Sequence, residues 1–220
     1  MFDVFEEYES EVRSYCRDFS AIFEKAINAK LITNTGDEYI DFFAGAGTMN
    51  FGHNNPYIKQ AVLDYLSSDN IIHALDMYTI AKENFLMVLN NLILKRKNFN
   101  YKVMCCGPTG TNAIEAALKL VRKIKKRSMV LSCSGAFHGV TLGSLSITSD
   151  LFHRSGAGVP LTNTCFIPYN SNESVEILQN LLEDDHSGVE KPAALFIETV
   201  QAEGGVNIAS VEWLKSVFNI

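Results

Sequence analysis

The chain has 220 residues, of which 47% are hydrophobic and 20% charged, a composition typical of a globular protein with a buried core. Its formal net charge of -6 at pH 7 argues against a surface that binds nucleic acid or anionic lipid, because both need a positive field. A small molecule is therefore the expected partner.

The N-terminal sequence MFDVFEEYESEVRSYCRDF is acidic and amphipathic, and no window of the chain approaches the length of a membrane span. We therefore expect a cytoplasmic protein. The cysteines are odd in number and never spaced as C-x-x-C, so neither a disulfide framework nor a zinc site is predicted. We expect buried thiols at all five positions, namely Cys16, Cys105, Cys106, Cys133 and Cys165.

The first hundred residues predict helices around one hairpin. Residues 1 to about 30 favour a helix, and KLITNTGDEYIDFFAG then has a Thr-Gly-Asp-Glu turn between two apolar runs. The sequence NNPYIKQAVLDYLSS predicts a helix with Asn55 as N-cap and Pro56 at its first position. A further helix is predicted over MYTIAKENFLMVLNNLIL.

From residue 101 the pattern changes, and short apolar runs alternate with helical or Gly-rich stretches. Such alternation predicts an α/β fold with a mainly parallel sheet and ligand sites at the carboxyl ends of its strands. The predicted strands are YKVMCC, SMVLSC, NTCFIPY and AALFIETV. The chain ends in SVEWLKSVFNI, a predicted helix with Val211, Leu214 and Phe218 on its apolar face and no terminal cap, so we expect the sequence to stop within a domain.

The sequence CCGPTGTNAIEAALKL joins the first of these strands to a helix. The helix is expected to begin near Thr111 or Asn112, with Glu115 as a capping-box partner three residues later. Its predicted apolar stripe is Ile114, Ala117, Leu118, Val121 and Ile124.

The turn before this helix is the first candidate site. Backbone N–H groups at a helix start, with the hydroxyls of Thr109 and Thr111 and the small Gly110, form an anion site suited to a phosphate ester. A purely structural turn is the alternative. Neither G-x-x-x-x-G-K-[ST] nor G-x-G-x-x-G is present, so the motifs of nucleoside triphosphatases and dinucleotide-binding proteins are absent.

Two further strand ends carry candidate side chains. After SMVLSC, Phe137 can stack on a planar heteroaromatic ring, with His138 beside it. A core phenylalanine next to a hydrogen-bonded histidine is the alternative. After AALFIETV, the carboxylates of Glu198 and Glu203 and the amide of Gln201 can serve a cationic ring, a substrate amine or an arginine, and a solvated loop acid is the alternative.

Other chemistry has no motif in this sequence. The histidines form no i, i+3 or i, i+4 pair for a metal, and no G-x-S-x-G marks a serine nucleophile. A basic run is predicted to form the solvated face of one helix rather than a nucleic-acid patch. Its members are Lys119, Arg122, Lys123, Lys125, Lys126 and Arg127.

These motifs resemble the N-terminal half of class III (fold type I) pyridoxal-phosphate aminotransferases, and within them the L-2,4-diaminobutyrate transaminases of the ectoine and diaminopropane type. The resemblance implies that residues 1–45 are the N-terminal segment of a small domain. Residues 46–220 would be the N-terminal part of a large cofactor-binding domain with an incomplete sheet. The matching segments are FFAGAGTMNFGHNNP, IIHALDMYTIAK, GPTGTNAIEAALKL, SGAFHGVTLGSLSITSDLFHRSGAGVPLTN and IETVQAEGGVNIASVEWL.

The resemblance also implies roles for the residues at the cofactor. Gly110 and Thr111 would hold the phosphate of pyridoxal 5'-phosphate. Phe137 would stack on the pyridine ring, His138 would lie beside it, and Glu198 would lie near the polar edge of the ring.

On the substrate side, the resemblance implies Asn50, Gln201 and Glu203. Glu203 would pair with a switchable arginine, and Asn50 would lie near the dimer interface. The chain departs from the wider class in having Phe137 where Tyr is frequent and Thr199 where Pro usually follows the glutamate. Both departures fit the diaminobutyrate branch.

The implied reaction moves the amino group of L-glutamate to L-aspartate 4-semialdehyde and gives L-2,4-diaminobutyrate and 2-oxoglutarate. The family's Schiff-base lysine, its pyridine-pairing aspartate and the arginine partner of Glu203 correspond to positions after Ile220. We therefore expect an N-terminal portion that has no catalytic residue of its own and is inactive alone. The complete protein is expected to be a homodimer or higher homo-oligomer.

Three alternatives remain open from the sequence. The first is another class III transaminase, acting on ornithine or 4-aminobutyrate. The second is a non-catalytic remnant that pairs with another subunit or has no activity. The third is a phosphate-binding module unrelated to pyridoxal phosphate.

Overall fold

A computed structural model describes residues 3–11, 19 and 21–220 of the chain. The chain divides into two compact units, of which unit 1 extends to Asn100 and unit 2 covers Tyr101–Ile220. No helix in these described ranges is long and apolar enough to cross a membrane.

Unit 1 begins with a short helix and a three-stranded antiparallel sheet. Its first elements are α1 (Asp3–Tyr8), β1 (Phe23–Ile27), β2 (Lys30–Thr33) and β3 (Glu38–Ile40). The strands pair in the order β1-β2-β3, with Lys30 opposite Ile27 on one side and opposite Ile40 on the other. The hairpin predicted from the Thr-Gly-Asp-Glu turn is confirmed as β2 and β3.

The helix predicted over residues 1 to 30 is wrong at β1. Asn28 has a left-handed backbone with φ 54°, which reverses the chain, so that Phe23–Ile27 pairs with β2 as a strand. Residues 12–18 and 20 of that prediction lie outside the described part of the chain.

Helices follow the sheet of unit 1. They are α2 (Ala44–Gly47), a single turn with left-handed residues, α3 (Pro56–Ser67), and α4 (Ile80–Leu89), which continues into a π-helical turn (Asn90–Leu94). Asn55 accepts hydrogen bonds from the backbone N–H groups of Tyr57 (3.1 Å) and Ile58 (3.3 Å), as expected of an N-cap. Thr79 caps α4 by accepting from the N–H of Lys82 at 3.2 Å.

Unit 1 buries little of its apolar surface. Among its described residues only Thr33 is buried. Large apolar side chains are instead exposed along and around α3 and α4, including Phe42, Tyr57, Ile72, Leu75 and Tyr78.

Unit 2 contains a parallel sheet with β4 (Val130–Cys133) at its centre. On one side β4 pairs with β5 (Thr164–Ile167), and on the other it bonds to the segment 193–196. Leu131 donates its N–H to the Ala194 carbonyl (2.8 Å) and accepts from the Phe196 N–H (2.9 Å). The predicted parallel arrangement is therefore confirmed for these three runs.

The strand predicted over YKVMCC does not form. Residues 101–107 are irregular and mostly exposed, because no strand among the described residues pairs with them. Near the other end of the unit, β6 (Val200–Gln201) and β7 (Asn207–Ile208) form a short antiparallel hairpin.

Unit 2 also contains several helices, some of which pack against the parallel sheet. They are α5 (Gly110–Lys125), α6 (Leu142–Ser146), α7 (Leu151–Ser155), α8 (Asn172–Glu183) and α9 (Val211–Asn219). One core cluster joins Leu118 of α5 to Val130, with Ile114 and Val121 packed against it. The predicted stripe of α5 is wrong at Ile124, which is exposed.

The predicted apolar face of α9 is mostly wrong. Trp213 and Val217 are buried in the second core cluster, with Leu214 packed against it, whereas Val211 and Phe218 are exposed. The face of α9 that is buried depends on the side from which α8 packs, and the spacing of apolar residues within α9 does not reveal that side.

The cysteines also differ from the prediction. Among the described cysteines only Cys133, the last residue of β4, is buried, while Cys106 and Cys165 are half-buried and Cys105 is exposed. Cys16 lies outside the described residues. Cys105 and Cys106 are accessible because the segment that contains them does not join the sheet.

Candidate active site

The N-terminus of α5 supplies the first part of the site. The helix begins at Gly110 and Thr109 is its N-cap, with the side chain of Asn112 accepting from the Thr109 N–H at 3.2 Å and from its hydroxyl at 2.5 Å. No group among the described residues accepts from the N–H groups of Gly110 and Thr111. Space beside Gly110 is open, since an added Cβ would meet no atom within 4 Å.

This arrangement corrects two expectations about the helix start. The helix begins one residue earlier than predicted, and Asn112 rather than Glu115 is the partner of the N-cap. The Thr109 hydroxyl donates its proton to Asn112, so the anion-binding donors left at this end are backbone N–H groups.

Glu115 instead reaches the N-terminus of α6. Its carboxylate accepts hydrogen bonds from the Thr141 hydroxyl (2.5 Å) and from the Ser144 N–H (3.0 Å). The Thr111 hydroxyl lies 2.7 Å from that of Thr141 and 2.6 Å from that of Ser144. These contacts fix the start of α5 against the start of α6.

The carboxyl ends of β4 and of the segment 193–197 meet, as the sequence predicts for a parallel sheet. The Phe137 N–H donates to the Glu198 carboxylate at 3.1 Å. The half-buried Phe137 ring contacts the edge of His153, with 5.4 Å between ring centroids. Phe137 and Glu198 are therefore neighbours in space although 61 positions separate them.

His138 lies next to this pair and has an unused ring nitrogen. The backbone N–H of His138 donates to the Thr148 hydroxyl at 2.9 Å, and the centroid of the His138 ring lies 6.1 Å from that of Phe196. Its Nε2 atom is buried and has no hydrogen-bond partner in the described part of the chain. A buried polar atom without a partner is costly, so a ligand group that reaches it would be stabilised.

Burial controls the charges at these strand ends. It raises the pKa of Glu198, and the hydrogen bond from the Phe137 N–H only partly opposes this. It lowers the pKa of His138, so that the imidazole is neutral at pH 7. Burial also raises the pKa of the Cys133 thiol to about 12, with a smaller contribution from the charge of Glu198. The thiol is thus a packing group rather than a nucleophile.

The three residues expected on the substrate side occupy different environments. Gln201 is 1% exposed and donates its amide to the Ser134 carbonyl at 2.8 Å, which links β6 to the end of β4. Glu203 is exposed in the turn between β6 and β7. Asn50 is an exposed residue of unit 1.

Reasoning from the sequence missed the link between the two helix starts. The signal was present in the glycines of HGVTLGS, which leave room for side chains of α5. An added Cβ at Gly143 would lie 2.1 Å from the Glu115 carboxylate, and one at Gly139 would lie 2.5 Å from the Thr111 hydroxyl. A side chain at Gly143 would therefore displace the Glu115 carboxylate, and one at Gly139, whose φ is 118°, would displace Thr111.

No group of three or more His, Cys, Asp or Glu side chains in the part of the chain that the structure covers is arranged to hold a metal ion.

Solved structures define the class of fold. The ornithine aminotransferase from Toxoplasma gondii ME49 aligns with a TM-score of 0.77 at 23% identity, over 99% of this chain and 49% of that one. A pyridoxal-phosphate-bound amine transaminase from an uncultivated Pseudomonas species aligns with a TM-score of 0.74 at 20% identity, over 96% of this chain and 51% of that one. The chain therefore has the α/β fold of the fold type I transferases.

Sequence relatives narrow the class to a family. The model of the class-III aminotransferases matches residues 13–220, and the chain belongs to this family. Diaminobutyrate–2-oxoglutarate transaminases from Marinococcus halophilus and Streptomyces coelicolor are 50% and 49% identical to it over 222 residues. Each alignment covers 99% of this chain and 52% of the relative, so the chain spans about half the length of these relatives.

Proposed function

We propose that the chain provides the phosphate- and ring-binding part of a pyridoxal-phosphate-dependent transaminase. The observation that carries this proposal is that the N–H groups of Gly110 and Thr111 have no acceptor among the described residues and lie near the segment after β4 that contains Phe137 and His138. When bound, the cofactor supplies a ring that stabilises negative charge at the substrate carbon.

The residues present fit such a ligand. The N–H groups of Gly110 and Thr111 would bind the phosphate, and the open space beside Gly110 would admit it. The ring of Phe137 would stack on the pyridine, and the His138 Nε2, which has no partner among the described residues, would form a hydrogen bond with a polar group of the ligand. Glu198, which accepts from the Phe137 N–H, would lie near the polar edge of the ring.

For the substrate side we propose Asn50, Gln201 and Glu203. Glu203 is exposed and available to pair with a cationic group. Gln201 acts through the Ser134 carbonyl that it holds, and so positions the loop before Phe137. The role of Asn50 rests on the family resemblance of AGTMNFGH alone.

The proposed reaction transfers the amino group of L-glutamate to L-aspartate 4-semialdehyde, giving L-2,4-diaminobutyrate and 2-oxoglutarate. The names of relatives near 50% identity over 99% of the chain support this substrate pair. We further propose that the reaction takes place in the cytoplasm, in a pathway of the ectoine type. The boundary between a small-domain segment (1–45) and a large domain (46–220) also stays a proposal.

We also propose that the complete protein is a homodimer or a higher homo-oligomer. The exposed apolar side chains around α3 and α4 support this, because a large apolar surface of this kind is typical of a contact between subunits.

Substrate specificity is tested on the native protein with a panel of amino donors and acceptors. The proposal predicts the highest kcat/KM for L-glutamate with L-aspartate 4-semialdehyde. A higher value with ornithine or 4-aminobutyrate as donor would assign the protein to one of those activities instead.

Cofactor stacking is tested with Phe137→Ala. Loss of an aromatic contact is worth about 1 kcal/mol, so the dissociation constant for pyridoxine 5'-phosphate should rise about fivefold. The exposed Phe218→Ala serves as control and should leave the constant unchanged. Equal affinity in Phe137→Ala and wild type would favour a phosphate-binding module that makes no use of the ring.

A further inference from the structure

The carboxylate of Glu115 caps a helix other than its own. The side chain of Thr141, the N-cap residue of α6, makes no capping bond to that helix. Glu115 takes its place by accepting from the Ser144 N–H, and the same Oε1 atom accepts from the Thr141 hydroxyl. One acceptor on α5 therefore holds both the backbone and a side chain at the start of α6.

This carboxylate also sets the direction of a chain of hydroxyl protons. A carboxylate only accepts, so Thr141 gives its single proton to Glu115. The contact of 2.7 Å between the Thr141 and Thr111 hydroxyls then requires Thr111 to donate. The Ser144 hydroxyl lies 2.6 Å from that of Thr111 and 2.8 Å from that of Thr141, and it donates to the Thr141 carbonyl at 3.1 Å.

The Thr111 hydroxyl therefore has no proton left for a ligand. A phosphate ester accepts hydrogen bonds, so at this helix start it depends on the backbone N–H groups of Gly110 and Thr111. The orientation of these N–H groups depends on how the first turn of α5 is held, and the Thr111 side chain is its contact with α6.

We propose that Glu115 is a positioning residue for the phosphate-binding end of α5, acting through Thr141 and Thr111 without touching the ligand. This inference rests on the proposed function. The glycines at 139 and 143 support it, because the backbone around α6 leaves room for Thr111 and Glu115 in these positions.

Electrostatics alone predicts the opposite effect of removing Glu115. A carboxylate near an anion site repels a phosphate, so losing the charge would tighten binding if position did not matter. The proposal predicts weaker binding. The sign of the change therefore separates positioning from charge.

The test measures dissociation constants of pyridoxine 5'-phosphate and pyridoxine by calorimetry on the full chain. Both probes lack the aldehyde, so neither forms adducts with surface lysines. The ratio of the two constants reports phosphate recognition, because loss of ring binding or of folded protein affects both alike. The variants are Glu115→Met, which fills the space without an acceptor, Thr141→Val, which removes the hydroxyl without a change of charge, and Thr141→Ser, which restores it.

We expect the preference for the phosphate ester to fall about fivefold in Glu115→Met and Thr141→Val, and to stay within about twofold of wild type in Thr141→Ser. An unchanged or increased preference for the phosphate ester in Thr141→Val would overturn the proposal. If Glu115→Met does not fold, the result for Thr141→Val alone is the test. If wild type itself shows no preference for the ester, the proposed function fails and the positioning role fails with it.

Discussion

Glu198 is a partly buried carboxyl whose proton is linked to the stability of the fold. Burial raises its pKa above the ordinary value of 4.5. Between that value and the raised pKa, the folded protein holds a proton that the unfolded chain has released. The contribution of this proton to the free energy of unfolding is therefore fully present below pH 4.5 and is lost as the pH rises through the pKa of Glu198 in the folded protein.

A Glu198→Gln variant should lack this loss. Its amide keeps an acceptor for the Phe137 N–H but does not titrate. Relative to wild type, the variant should gain free energy of unfolding as the pH rises from about 4 to about 8. Urea unfolding at several pH values measures this difference. A difference that stays constant over the range would show that Glu198 has the same pKa in the folded and unfolded states.

Among single residues, the sequence predicted a helix start at the GPTGT turn but not the partners of its side chains. The first N–H groups of any helix lack an intrahelical acceptor, whatever the surroundings. The partners of Thr109 and Thr111 depend on Asn112 and on residues 30 or more positions away, which no local pattern specifies.

At the scale of elements, α9 shows how packing overrides periodicity. Trp213 is 4% exposed, and its indole N–H donates to the Ser174 hydroxyl of α8 at 2.7 Å. Phe218, which was predicted to lie on the apolar face of the helix, is 77% exposed. The face that α9 buries is the one that α8 contacts.

Two substitutions in α9 should therefore have different effects. Trp213→Phe loses the hydrogen bond and part of the buried area, and should lower the free energy of unfolding by about 1 to 3 kcal/mol. Phe218→Ala should change it by less than about 0.5 kcal/mol. Urea midpoints of the two variants measure this. A larger loss in Phe218→Ala than in Trp213→Phe would mean that the opposite face of α9 is buried.

The strands and helices that the sequence predicted correctly have strong local signals. Asn55 before Pro56 marks the start of α3, and the turn before β3 contains Gly36, which has φ 93°. β1 lacked such a signal, because its pairing depends on the left-handed Asn28 and on β2. The strand predicted over YKVMCC failed for the converse reason, since its pattern is right but no described strand pairs with it.

For the molecule as a whole, the two units differ in how much they bury. Unit 2 has two core clusters around β4, whereas unit 1 buries only Thr33 among its described residues. Free energy from apolar burial is therefore concentrated in unit 2.

Hydrogen exchange should reveal this difference. The slowest amides should be those of Val130 and Leu131, which are fully buried and donate to the carbonyls of Asn163 and Ala194. Amides of β2 should exchange faster, because only one of its four residues is buried. Mass spectrometry of peptides from both units measures the two rates. Slower exchange in β2 than in β4 would contradict the assignment of stability to unit 2.

The proposed function depends above all on binding of the cofactor phosphate by the backbone at the start of α5. The most direct measurement is a ¹⁵N–¹H spectrum of the labelled chain titrated with pyridoxine 5'-phosphate. We predict saturable shifts of the amide signals of Gly110, Thr111 and Phe137. Added inorganic phosphate should reverse the shifts of Gly110 and Thr111. Saturable shifts elsewhere, with the Gly110 and Thr111 amides unmoved, would show that the start of α5 does not bind the phosphate.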